Sequence, residues 1–131
     1  MYARPRPDMV PEMGDVTPGL AGGVQKSNGG PKPAPPKGAV HSAEIEYAMG
    51  NLHYNKVYAW TKDDYAVSAT MQSYFANFIK TGNPNGEGLP TWSATNTSKP
   101  VPVMRIDTKT VLQKDADAAR YQLLEKLADK K

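Results

Sequence analysis

The 131 residues carry 16 Lys and Arg against 13 Asp and Glu, a formal charge of +3, with 12 prolines, 11 glycines and no cysteine. The length fits one small domain, and the missing cysteine excludes disulfides and thiolate chemistry within it. Basic groups are dispersed, five against three acidic in residues 1–40 and eleven against ten beyond, so the Lys/Arg stripe that nucleic acid demands is not encoded.

Residues 1–40 hold eight of the prolines and seven of the glycines and show neither helical nor strand periodicity. They are expected to form a Pro/Gly-rich loop region, ahead of a segment at 41–131. Met1-Tyr-Ala-Arg-Pro-Arg-Pro lacks the apolar stretch of a signal peptide, and no apolar run approaches the ~18 residues of a membrane span. Tyr2 reads as the last residue of a strand, since Arg4-Pro5-Arg6-Pro7 cannot continue a ladder without proline N–H groups. Gly22 to Lys37 reads as a surface loop. The core must then come from residues 41–131, which hold both tryptophans, both phenylalanines and six of seven tyrosines. A unit of that size hides only ~60–65% of its unfolded surface, so marginal stability is expected.

A short helix is predicted over 42–49, burying Ile45, Ala48 and Met49 and stopped by Gly50 in the left-handed C′ position. A long helix is predicted over 62–81. Thr61 is its N-cap, Asp64 at N3 closes a variant capping box, and Asp63 and Asp64 complement the helix dipole. Val67, Met71, Tyr74, Phe75, Phe78 and Ile79 recur at helical spacing. Six such side chains would contribute about 10–15 kcal/mol if all were buried, yet few residues in the chain remain to cover them. The partner surface is therefore expected to lie outside these 131 residues.

Gly82 ends this helix, Asn83-Pro84-Asn85-Gly86 makes a tight turn, and Trp92 is expected to pack back onto the helix. Residues 101–107 and 110–113 read as two short strands with a turn near Thr108-Lys109. A final helix over 116–129 sets Tyr121, Leu124 and Ala128 on one face, with Asp115 as its cap. Asn96-Thr-Ser98 is a formal glycosylation acceptor of little weight.

The chemistry-bearing segment is Gly38-Ala-Val-His-Ser-Ala-Glu-Ile-Glu-Tyr-Ala-Met-Gly50. It places His41 at a loop end and Glu44 three residues on, on the same face if a turn begins there, whereas Glu46 points elsewhere into solvent. His53, the only other histidine, reads as a surface residue. With no cysteine and no His-Glu-x-x-His pattern, no closed metal site is expected. No phosphate-binding glycine loop occurs. Ser27, Ser42, Ser68, Ser73, Ser93 and Ser98 all lack the paired glycines of a Gly-x-Ser-x-Gly nucleophile elbow.

Gly38, His41, Glu44, Ile45 and Tyr47 resemble the histidine segment of type B carboxylesterases, the cholinesterase and para-nitrobenzyl-esterase group of α/β-hydrolases. Gly88-Leu89-Pro90-Thr91-Trp92 behind its Asn-Pro-Asn-Gly turn resembles the same family. The resemblance implies an α/β fold, here the C-terminal portion of an α/β-hydrolase. It implies a serine hydrolase acting on a small carboxylic ester without metal or organic cofactor. His41 would be the catalytic histidine and Glu44 its support from behind. Ala48-Met49 departs from the family's commoner branched residue and phenylalanine, which leaves the shape of the substrate pocket open.

Triad residues follow the chain as Ser, Asp or Glu, then His, and only 40 residues precede His41. No elbow and no His-Gly-Gly-Gly run is present. The chain is therefore expected to be a C-terminal fragment, inactive alone, whose partner is the remainder of the hydrolase domain; the complete protein would be secreted or periplasmic. The alternative is a noncatalytic interaction module that docks through the apolar face of helix 62–81.

Overall fold

The computed structural model describes residues 1–18, 24–27, 29–31, 37–95 and 101–129. The chain passes through a 3₁₀ turn (Pro11–Met13), strands β1 (Val16–Pro18) and β2 (Val24–Lys26), helix α1 (Glu44–Met49) and a second 3₁₀ turn (Leu52–Tyr54). Helix α2 (Lys62–Thr81), strands β3 (Pro102–Arg105) and β4 (Val111–Lys114), and helix α3 (Ala118–Ala128) follow.

The bounds of α2 are those its sequence predicts, because both ends are chemically marked. Asp64 N–H donates to Thr61 Oγ1 at 3.3 Å and Thr61 N–H donates to Asp64 Oδ2 at 2.8 Å, a reciprocal capping box. At the far end Gly82 adopts φ 72° and its N–H donates to Phe78 C=O at 2.8 Å. Val67, Met71 and Tyr74 are buried and meet Tyr47, Leu52, Met104 and Ile106 in the core.

The rest of the predicted stripe stays outside: Phe75, Phe78 and Ile79 are 44%, 58% and 81% exposed. Residues of α1 and β3 cover one side of a broad apolar arc, so about 5–9 kcal/mol of burial is realised rather than the full amount.

Helix α1 starts at Glu44, two residues later than expected, because Ser42 takes φ 61° and leaves the right-handed helical path. Gly50, at φ 68°, ends it in the left-handed conformation as predicted. The buried stripe is corrected. Ile45 and Met49 are exposed, while Ala48 is partly buried against the core as expected, and the helix is anchored chiefly by Tyr47, with Ala43 just before it. A phenol that can reach a buried acceptor on α2 fixes the rotation of so short a helix more firmly than two aliphatic groups do.

β3 and β4 pair antiparallel in the register Pro102↔Lys114 to Arg105↔Val111. Both strands lie within or beside the expected spans, and the bend between them holds Thr108 and Lys109. Tyr2 belongs to no strand, although it does pair as expected of extended chain. It forms a single parallel bridge to Ile106, flanked by Ala3 N–H to Ile106 C=O at 2.9 Å and Ile106 N–H to Met1 C=O at 2.8 Å. The ladder stops at Arg4-Pro5, where no amide remains to extend it.

Residues 1–18 are more ordered than their composition suggests. Besides the first 3₁₀ turn, β1 pairs antiparallel with β2, Val16 opposite Lys26, and Met9 bridges to Tyr58. The expected loop from Gly22 to Lys37 is described only at 24–27, 29–31 and 37; the rest of it, and Asn96-Thr-Ser98, lie outside the described residues. Helix α3 is shorter than expected, and its predicted apolar face is not buried, with Tyr121 and Leu124 63% and 61% exposed. The Asp115 carboxylate accepts from Asp117 N–H at 2.9 Å, shaping the turn before α3 instead of capping its first residue.

Candidate active site

A depression of about 440 Å³ opens beside the start of α1, and Tyr2, His41, Glu44, Phe75 and Trp92 are among its walls. His41 reaches it from the end of a loop. Val40 C=O accepts from Ala43 N–H at 3.2 Å, turning the chain over the histidine, and Ser42 at φ 61° redirects it into α1. Glu44, the first residue of α1, follows on the same side. The two residues singled out in the sequence thus share one cavity. Neither side chain hydrogen-bonds another side chain among the described residues.

Trp92 forms another wall because two elements hold it. Its ring meets Tyr74 edge-on, centroids 5.3 Å apart and planes at 89°. Tyr74 Oη in turn donates to Pro90 C=O at 2.6 Å. The Asn83–Gly86 stretch is organised by side chains: Asn85 N–H donates to Asn83 Oδ1 at 3.0 Å, and the backbone turn itself falls later, with Leu89 N–H on Gly86 C=O at 3.2 Å.

Behind the cavity a buried polar network ties α1 to α2. Asp64 is fully buried. Its Oδ1 accepts from Tyr47 Oη and from Arg4 Nε, each at 2.8 Å, and Ser68 Oγ donates to Tyr47 C=O at 2.7 Å. Burial alone pushes the Asp64 carboxyl up. Hydrogen bonds from Arg4, from the Thr61 side chain and backbone and from Tyr47 outweigh it and hold the group below its ordinary value. The Tyr47 phenol is shifted upward, by burial first and then by its neighbours Tyr2 and Asp64, and stays protonated as a donor.

Glu46 corrects the sequence reading. It is not a solvated carboxylate: Arg6 Nη2 lies 3.2 Å from Glu46 Oε2, Asn55 Nδ2 donates to its other oxygen, and the Arg6 guanidinium sits 5.1 Å over the Tyr58 ring. Sequence reasoning gave Asp64 a capping role only and missed Arg4 and Arg6 altogether. Pairings across 60 and 40 residues leave no local periodic trace. His53 is exposed, its ring 4.1 Å from that of Tyr54 and tilted 39° to it, away from the depression.

Among the described residues, no three His, Asp or Glu side chains gather as a metal site, and no helix is long and apolar enough to cross a membrane. An imidazole at the mouth of an apolar-walled cavity can take and return protons. Among the described residues, the cavity walls contain no serine, cysteine or lysine that could act as nucleophile.

A sequence profile described as the carboxylesterase family matches residues 21–124. The rat protein named pyrethroid hydrolase Ces2e is 31% identical over 93 residues, 71% of this chain and 16% of the relative. The Caenorhabditis elegans protein named esterase cest-33 is 35% identical over 96 residues, 71% of this chain and 17% of its own length. Among solved structures, one titled PNB esterase superposes with a TM-score of 0.57 at 27% identity, covering 72% of this chain and 19% of that one. A thermophilic PNB esterase gives 0.58 at 28% identity, covering 72% and 20%. The chain thus spans about a sixth of the length of these curated relatives. Its short helices and few strands are part of an α/β-hydrolase fold.

Proposed function

This chain belongs to the carboxylesterase family, and from that premise we propose that it carries the catalytic histidine of a serine carboxylic-ester hydrolase. His41 is the general base that takes the proton of a serine hydroxyl as the ester is attacked. It returns that proton to the departing alcohol and then activates the water that frees the acid. Glu44 supports the histidine loop from α1. The serine, the triad acid and the oxyanion donors come from sequence outside these 131 residues, and the chain by itself is inactive. The observation that carries this reading is that His41 and Glu44 line the same apolar-walled depression.

The test is a graft of this chain onto a PNB esterase in place of the matching C-terminal segment. The graft should hydrolyse para-nitrophenyl acetate, and His41→Ala should cost about 10⁶-fold in turnover, as loss of a triad histidine does. The isolated chain should show no turnover sensitive to His41→Ala. A folded graft whose activity survives that substitution would overturn the assignment.

One observation favours a second reading, a noncatalytic docking module: Phe75, Phe78 and Ile79 form an uncovered apolar strip on α2. The graft separates the two readings, because a docking module confers no His41-dependent hydrolysis.

A further inference from the structure

Asn85 holds Trp92 by both polar groups of its backbone. Trp92 N–H donates to Asn85 Oδ1 at 2.6 Å, and Asn85 Nδ2 donates to Trp92 C=O at 2.9 Å. The same Nδ2 donates to Asn83 Oδ1 at 2.9 Å. Only a carboxamide fits this arrangement, since a carboxylate has no N–H to give and would face two oxygens instead.

The next residue is constrained as tightly from the other side. A Cβ on Gly86 would fall 2.5 Å from Asn77 Nδ2, which donates to the carbonyls of Pro84 and Asn85 at 3.2 and 3.3 Å. A larger residue at 86 would have to displace the Asn77 amide from those carbonyls, so the site holds an asparagine followed directly by a glycine, the pair in which a backbone nitrogen is least shielded from the preceding amide. Gly86 is exposed, and its N–H makes no hydrogen bond among the described residues.

We propose that Asn85-Gly86 is a self-modification site whose conversion releases Trp92 from the wall of the His41 depression. The Gly86 backbone nitrogen gives its proton to solvent base and attacks Asn85 Cγ. The N–Cγ bond forms, the Cγ–Nδ2 bond breaks, and the amide departs as ammonia with a proton from solvent. Water then opens the cyclic imide at either carbonyl, adding hydroxyl to that carbon and a proton to the ring nitrogen. The products are aspartate, or isoaspartate with a lengthened backbone, and no oxidant or enzyme is consumed. Either product loses the Nδ2 donor, so Trp92 C=O gives up its partner and faces a carboxylate oxygen, and the grip on the Trp92 backbone is reduced to what its N–H can donate. The proposal goes beyond the esterase reading and holds whether or not His41 is the catalytic base.

The experiment incubates the full chain in warm, mildly alkaline buffer with and without denaturant. Peptide mapping by mass spectrometry and enzymatic methylation of isoaspartate follow Asn85, with Asn28-Gly29, the other such pair in the sequence, as internal reference. Trp92 emission is read in a Trp60→Phe background. Asn85 should convert in the folded chain several-fold more slowly than in denaturant, because the grip on Trp92 must first open. Emission should move to the red in proportion to the converted fraction. Asn85→Asp should reproduce that shift with unchanged helical circular dichroism, and Asn85→Gln should not convert over the same period. If Asn85→Asp fails to fold, the time course of the unsubstituted chain decides alone. An Asn85 peptide that keeps its amide, equal rates in the two conditions, or conversion without a change in Trp92 emission would each overturn the proposal.

Discussion

Ser42 shows how a single backbone torsion sets the course of the chain beside a candidate site. Its φ of 61° lies where L-residues other than glycine are strained, at a cost of about 1–3 kcal/mol. That torsion swings the chain from the His41 loop into α1 and brings His41 and Glu44 to one cavity. Ser42→Gly should keep the geometry and raise the denaturation midpoint slightly, the relief of strain being partly offset by glycine's looser unfolded chain. Ser42→Val should lower stability by roughly 2 kcal/mol, since a β-branched residue tolerates positive φ poorly. Identical urea midpoints for the three proteins would show that this torsion is not held by the fold. The strain was invisible in the sequence, where serine signals nothing about φ. His41 was singled out there because a motif surrounds it, and the structure sets it with Glu44 on one depression.

At the scale of elements, the joint between α1 and α2 is polar rather than aliphatic. Removing Arg4 by Arg4→Ala would leave the buried Asp64 carboxylate without its cation and should cost up to about 3–5 kcal/mol. The pH dependence follows from the sign of the shift. Asp64 is held below its ordinary value of 3.8 in the folded chain, so over the acid range the unfolded state binds more protons. Its stabilising contribution is complete above that ordinary value and is lost as pH falls through the folded one. Urea unfolding of Asp64→Asn should therefore show a flatter acid limb than the parent chain; parallel acid limbs would remove Asp64 from the account. Helix α2 was legible to the residue because caps are local chemistry. The face that α1 buries was not, because Tyr47 answers to an acceptor 17 residues away.

At the scale of the molecule, unburied apolar groups are concentrated on helices. Phe78 and Ile79 on α2 and Leu123, Leu124 and Leu127 on α3 are all more than half exposed. Surface of that kind binds hydrophobic dyes and promotes association. The chain should enhance ANS fluorescence, and the double substitution Phe78→Lys, Ile79→Lys should reduce that signal without lowering the melting temperature; an unchanged signal would place the dye elsewhere. Amphipathic periodicity marked these side chains as apolar, but it carries no information on what covers them.

The pairing of Ala3 with Ile106 has a kinetic consequence. A parallel bridge between segments so far apart closes a loop of more than a hundred residues, an ordering cost of about 4 kcal/mol from chain length alone. Helix α2 and the β3–β4 hairpin can form from near neighbours, whereas this seam cannot. Met1 and Tyr2 line the same hollow as His41, so refolding of this segment should finish there last, passing through a helical intermediate in which that wall is not yet closed.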